Sequence, residues 1–124
     1  VYLLQQEFDT VVSNAFHWRH VQPHGPGRWD WQKTDLAVRL AHELGLNLRG
    51  HAILWYQMIP DWFADLSNRH EMEKYLVEHV QTLVTRYRGS VTSWDVLNEA
   101  VWLPDGHAHG LRKDRLFHSF GEEY

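Results

Sequence analysis

The chain has 124 residues, 44% hydrophobic and 23% charged, the make-up of one modest folded domain, which excludes disorder as a description of the whole. A formal charge of −4 provides no basic field for a nucleic acid backbone, and no apolar run approaches the roughly 20 residues of a membrane span. The lack of cysteine excludes disulfides, thiolate nucleophiles and Cys-ligated zinc, whereas 7 Trp and 10 His bring ring-binding faces and titratable or metal-ligating groups.

The chain opens at Val1 rather than Met, without a basic start followed by an apolar stretch, so it reads as a processed or excerpted segment with no visible signal peptide. Phe8-Asp9-Thr10-Val11-Val12 is short and β-rich and predicts a strand. His24-Gly25-Pro26-Gly27 is loop chemistry. Asp30 is placed to cap a helix carrying Leu36, Leu40, Ala41 and Leu44 on one face, with Gly45 at its left-handed end. Leu46 to Leu48 opens an extended run that continues toward His51-Ala52-Ile53-Leu54-Trp55. Asn68 with Glu71 three residues on resembles a capping box, followed by Met72, Leu76, Val80, Leu83 and Tyr87 at helical spacing. Arg88 and Gly89 end that helix, and Val91 to Leu97 forms the next extended run, stopping at Asn98-Glu99. The tail from Trp102 to Tyr124 is loop-like, with a helix starting near Leu116. No fixed-period repeat or low-complexity tract interrupts the order strand, helix, strand, helix, strand. That alternation predicts an α/β fold with a parallel sheet and helices on its outside.

In such a sheet the residues just past each strand end share one face. Here these are Ser13-Asn14 with His17-Trp18 close behind, then His51 and Trp55, then Asn98-Glu99. Any one of them alone has an ordinary structural use, but their joint occurrence at consecutive strand ends points to a site. Glu99 is the natural acid or base, since a carboxyl beside indoles and an amide is partly desolvated, which favours its protonated form. Cleavage of a glycoside needs such a proton donor at the leaving oxygen, indole faces stack on sugar rings, and amides bind sugar hydroxyls. Other carboxylate chemistry uses the same groups. His17, His20 and His24 have the spacing of one helix face, although Pro23 and Gly25 oppose a long helix there. His107 and His109, near Asp105, form a second candidate ion-binding stretch.

Several segments carry a family resemblance. Trp94-Asp95-Val96-Leu97-Asn98-Glu99-Ala100 resembles the W-D-V-V-N-E-A segment of glycoside hydrolase family 10, the endo-β-1,4-xylanases. Arg49-Gly50-His51-Ala52-Ile53-Leu54-Trp55 resembles its R-G-H-T-L-V-W, and Pro60-Asp61-Trp62 its P-S-W. Asn14-Ala15-Phe16-His17-Trp18 is similar to N-x-M-K-W, Gly27-Arg28-Trp29-Asp30-Trp31 to G-x-[FY]-x-[FW], and Gly121-Glu122-Glu123-Tyr124 to G-E-D-Y. The segments occur in the family's order over nearly the whole chain.

The resemblance implies a (β/α)8 TIM barrel and retaining hydrolysis of xylan. By position Glu99 is the general acid/base, and Asn98 binds the 2-hydroxyl of the sugar beside the scissile bond. His51 and Trp55 line the same subsite, Asn14 helps to hold that sugar, and His17 takes a place in the same glycone-binding region. Trp62 is assigned equally to structure and to substrate. No cofactor and no metal is implied, and the implied partner is xylan or a xylo-oligosaccharide rather than a nucleic acid or a membrane. A cell-wall polymer as substrate implies an extracellular or periplasmic location.

This chain also departs from the pattern. Ser13 stands for the family's Glu, and His17 for its Lys, so a permanent charge becomes a titratable one. The family's W-H-x-Q becomes Trp55-Tyr56-Gln57-Met58. The family's nucleophile, a Glu in a T-E-[LF]-D-like context on a later strand, has no counterpart here, and Asp95 inside the Asn98 strand does not replace it. A barrel of this kind needs about 250 residues. Residues 1–124 are therefore expected to be a fragment of a single catalytic barrel, about strands 2 to 4 with their helices. Alone it is expected to be inactive and poorly folded. The alternatives are a degenerate, non-catalytic barrel that binds xylo-oligosaccharides and, within the enzyme class, action on a related β-glycan.

Overall fold

A computed structural model describes residues 2–123, so Tyr124, the last residue of the G-E-D-Y-like segment, lies outside the described residues. A short helix, α1 (Tyr2–Glu7), precedes strand β1 (Thr10–Ser13). Helix α2 (Trp18–Val21) follows the turn after β1, and α3 (Gln32–Glu43) leads to β2 (Asn47–Gly50) and β3 (Leu54–Trp55). Helices α4 (Asp61–Ala64) and α5 (Arg69–Arg86) then lead to β4 (Ser93–Trp94) and β5 (Leu97–Asn98), and α6 (Arg115–Phe120) closes the chain.

All strand pairing is parallel. β1 pairs with β2 from Thr10↔Asn47 to Ser13↔Gly50, and β2 pairs with β4 at Arg49↔Ser93 and Gly50↔Trp94. Beyond these, β3 and β5 pair through Leu54↔Leu97 and Trp55↔Asn98. The sheet order β1-β2-β4, with a helix in each crossover, is an α/β arrangement consistent with part of a barrel.

Each of the two long extended runs expected from the sequence is divided in two. The division in the first falls at His51-Ala52, where the Ala52 N–H leaves the ladder and donates to His17 Nδ1 at 3.3 Å. In the second, the main chain of Asp95 and Val96 still accepts from Ile53 and Leu54, both at 2.9 Å, so the two runs stay side by side. The first strand starts later than expected, leaving Phe8 exposed, and α1 was not anticipated.

The core lies between the sheet and its helices, and includes Phe16, Trp18, Leu48, Ile53, Phe63, Met72, Leu83, Tyr87 and Leu116. β2 turns Leu48 and Gly50 toward it and Asn47 and Arg49 away. The face expected for α3 is corrected in part: Ala41 is buried as expected and Leu44 is half-buried, whereas Leu36 and Leu40 are 45% and 46% exposed and Thr34 is buried in their place. The helix is rotated because Thr34 and Asp35 are tied to α5. The Tyr87 hydroxyl meets Thr34 Oγ1 and lies 2.7 Å from Asp35 Oδ1, and Arg86 pairs with the same Asp35 at 2.9 Å. Small side chains therefore lie against the sheet. In α5 the expected cap forms, Asn68 Oδ1 accepting from the Glu71 N–H at 3.1 Å. Its inner face holds a residue the apolar pattern omitted, His79, stacked on Trp18 with ring centroids 4.3 Å apart.

Candidate functional site

The parallel order brings the expected residues to one end of the sheet. Glu99 directly follows β5, and its Oε2 accepts the Trp55 Nε1–H at 2.9 Å. Asn98 is the register partner of Trp55. The His17 ring lies 5.3 Å from that of Trp55 and 5.4 Å from that of His51, and His51 lies 6.2 Å from Trp55. Asn14 starts the single turn after β1, and its backbone oxygen takes the His20 Nδ1–H at 3.1 Å. His17, His51, Trp55 and Glu99 thus form one continuous row, with Asn98 paired to Trp55 across the strands and Asn14 linked through His20, whose ring lies 5.5 Å from that of His17.

Each member is held by identifiable forces. Asp95 Oδ2 lies 2.9 Å from His51 Nδ1, and Asp95 Oδ1 accepts from the Arg49 guanidinium. The hydrogen bonds from Arg49, then from His51, hold the Asp95 carboxyl down to about 2. An ionised Asp95 makes Nδ1 the protonated nitrogen of His51, which leaves Nε2 as the nitrogen that can meet a ligand. Glu99 itself has a left-handed backbone, φ 56°, which costs a residue with a Cβ about 1–2 kcal/mol and is a feature that clusters at functional sites.

Two expectations are corrected. From the sequence, His17 is a titratable charge in place of a permanent one. It is only 3% exposed, and burial, followed by the neighbouring His20 and His51, lowers its pKa to about 4, so it is neutral near pH 7. Its Nδ1 accepts from backbone, so it supports the Ala52 turn. Glu99 was expected to be partly desolvated, but 45% of its side chain is exposed on this open sheet. Ser13, at the family's Glu position, uses its Oγ to accept the Ala15 N–H at 3.2 Å, a local capping bond. Trp62 is packed into its surroundings: its Nε1–H donates to Gln22 O at 2.8 Å, and its ring meets Trp18, Phe63 and Tyr75 edge-on.

The second candidate stretch does not gather ligands. His107 Nε2 lies 3.1 Å from Glu122 Oε1, and Asp105 accepts the Lys113 N–H at 2.9 Å. No group of three or more His, Asp or Glu side chains placed to hold a metal ion occurs among the described residues.

Sequence reasoning missed two contributors to the row. Asp95 enters the sequence reading only as a poor substitute for the nucleophile, although a carboxylate four residues before Glu99 and level with His51 is a natural partner for the imidazole. Arg112 donates its Nε–H to the Glu99 carbonyl at 2.8 Å. It arrives through a fold-back that carries no hydrophobic period, and Gly106 and Gly110 were its only sequence cue.

Chemically, the row offers a carboxyl to protonate an oxygen, an amide and an imidazole for hydroxyls, and indole surface for a ring. Comparison with known proteins agrees with that class. The model of glycosyl hydrolase family 10 matches residues 1–124, and the chain belongs to that family. It is 31% identical to endo-1,4-beta-xylanase A of Halalkalibacterium halodurans and 31% identical to endo-1,4-beta-xylanase 3 of Hypocrea jecorina. Each match covers 98% of this chain and 34% of the relative, so the chain spans about a third of the length of these relatives. Among solved structures, xylanase 10B of Thermotoga petrophila in complex with xylobiose superposes with a TM-score of 0.87 at 26% identity, covering 99% of this chain and 37% of that one. A psychrophilic family 10 endo-beta-1,4-xylanase superposes at 0.88 with 28% identity, covering 98% and 40%.

Proposed function

We propose that residues 1–124 are a sector of one catalytic (β/α)8 barrel, about its second to fourth strands, in a protein that hydrolyses β-1,4-xylosidic bonds with retention. Glu99 is the general acid/base. It gives its proton to the glycosidic oxygen as the bond breaks, then takes a proton from the water that releases the sugar. Asn98 binds the 2-hydroxyl, His51 presents Nε2 to a neighbouring hydroxyl, and Trp55 both holds the carboxylate and lines the sugar subsite. Asn14 contacts the same sugar, and His17 acts from beneath by supporting the turn that carries His51. The nucleophile belongs to the part of the barrel beyond this chain, where a second carboxylate has to stand about 5–5.5 Å from Glu99. Xylan or a xylo-oligosaccharide is the substrate, which places the protein in the extracellular or periplasmic space.

The observation that carries this reading is the 2.9 Å bond from Trp55 Nε1 to Glu99 Oε2 at the ends of adjacent parallel strands. In the full-length protein, Glu99→Gln is expected to reduce turnover of xylan by about 10²–10⁴-fold, the range of general acid–base catalysis. Azide should restore turnover of a substrate with a good leaving group. Unchanged xylan turnover in that variant would remove Glu99 from the chemistry. The second reading, a barrel that binds xylo-oligosaccharides without cleaving them, is favoured by the buried, neutral His17 and the capping role of Ser13. A full-length protein that binds xylo-oligosaccharides and never cleaves them would establish it.

A further inference from the structure

Beyond Glu99 the chain doubles back on itself. Val101 and Leu111 form an antiparallel bridge, Trp102 N donates to Gly110 O at 2.8 Å, and Arg112 N donates to Ala100 O at 2.7 Å. The turn between them is closed by left-handed Gly106 and Gly110 and by the Lys113 N–H on Asp105. This fold-back brings Arg112, 13 residues further along the chain, next to Glu99.

There the Arg112 guanidinium is enclosed. Its Cζ lies 4.3 Å from the Tyr56 ring centroid and 4.7 Å from that of Trp102, and only 13% of its side chain is exposed. A planar cation between two π-faces is held in orientation as well as attracted. From that seat Nε–H donates to the Glu99 carbonyl at 2.8 Å, while a terminal nitrogen stands 3.9 Å from Glu99 Oε2. The first contact is a hydrogen bond on the residue whose backbone is left-handed; the second is too long for one and acts through charge. Glu99 is therefore gripped twice, at its carbonyl by Arg112 and at its carboxylate by Trp55. Tyr56 matters here because this chain has Tyr where its family resemblance predicts His, so one wall of the enclosure is particular to this sequence.

We propose that Arg112, enclosed by Tyr56 and Trp102, is a positioning residue that holds the left-handed backbone of Glu99 so that its carboxyl meets the leaving oxygen of the sugar chain. This rests on the reading of Glu99 as acid/base. Arg112 takes no proton and touches no substrate. It fixes the direction from which Glu99 gives its proton, and its cation faces the charge that appears on the carboxylate as the proton leaves.

A positioning role has a signature that general destabilisation lacks, because it scales with the need for protonation. The test uses the full-length protein and kcat/KM for two aryl β-xylobiosides, a phenyl glycoside that needs an acid and a dinitrophenyl glycoside that does not. Arg112→Met is expected to lower the phenyl value by about 30-fold, below the 10²–10⁴-fold span of the acid itself, and the dinitrophenyl value by about 3-fold or less. If Arg112→Met does not fold, Tyr56→Leu opens the enclosure with the arginine retained and is expected to show the same split at smaller size. Equal losses on both substrates, or none, in the folded variant overturn the proposal. Glu99→Gln is run beside them. A flat leaving-group dependence in Glu99→Gln defeats the acid/base reading itself. A steep one, with no split in either enclosure variant, defeats only the role given to Arg112.

Discussion

At the scale of single residues, burial sets the proton count of two imidazoles, His17 in the site and His79 in the core. The His79 ring is fully buried, gives its Nε2–H to the Ile53 carbonyl at 3.1 Å, and leaves Nδ1 without a hydrogen-bond partner. Burial lowers its pKa to about 3, as it lowers that of His17 to about 4. An unfolded chain binds protons at these histidines near the ordinary value of about 6.5 while the folded chain does not, so acid favours unfolding. Their contribution is complete above that value and is lost as the pH falls from about 6.5 toward 4 for His17 and toward 3 for His79. Asp95 behaves differently: its depressed pKa of about 2 gives stability that persists down to about 4 and is lost only below. Urea unfolding of the full-length protein at pH 7, 5.5 and 4.5 is expected to show falling stability, with a shallower fall in His79→Phe, which keeps a stacked ring and removes the base. Parallel pH dependences in the two proteins would show that His79 titrates normally. This histidine was not legible in the sequence, since a polar residue on a helical face looks like part of the solvated side. Glu99, His51, Trp55 and Asn98 were legible because strand ends in a parallel sheet converge whatever the details of packing.

At the scale of elements, the helices were read well where local chemistry decides them. Asn68 satisfies the Glu71 N–H at the start of α5, and Gly45 takes φ 68° just after α3. Asn68→Ala is expected to cost about 1 kcal/mol, visible as a lower midpoint in thermal unfolding. The facing of α3 was not legible, because Leu36 and Leu40 suggest burial by type, and the ties of Thr34 and Asp35 to Tyr87 and Arg86 are long-range contacts. The pairing of β2 with β4 has a similar hidden condition. A Cβ at Gly50 would fall on the Trp94 ring, which in turn meets Phe16 edge-on at 5.1 Å between centroids. Gly50→Ala therefore has to displace an indole that is packed on its other side. The expected cost is about 1–3 kcal/mol, the usual range for overpacking, measured by chemical denaturation. A variant as stable as the parent would mean that Trp94 has another place to go.

At the scale of the molecule, the sheet is open. Among the described strands, β1 and β4 each have one neighbour in their sheet, so each presents an unpaired row of peptide groups. The face turned away from the helices carries Val12, 59% exposed, with Asn47 and Arg49 beside it. In a closed barrel such side chains fill the interior in layers, and the edges vanish because the first and last strands pair. On the function proposed above, the same closure would bring the second carboxylate into range of Glu99. On that proposal, folding and catalysis share one requirement. We expect residues 1–124, produced alone, to lose structure gradually in urea and to leave xylan intact. When they are supplied together with the remaining portion of the barrel, a single sharp transition and hydrolysis should appear together. Sharp unfolding of the isolated sector would mean that the core between sheet and helices is sufficient without closure. Hydrolysis by the isolated sector would mean that Glu99 works with a carboxylate already in this chain. Either result would separate two properties that the open sheet ties together.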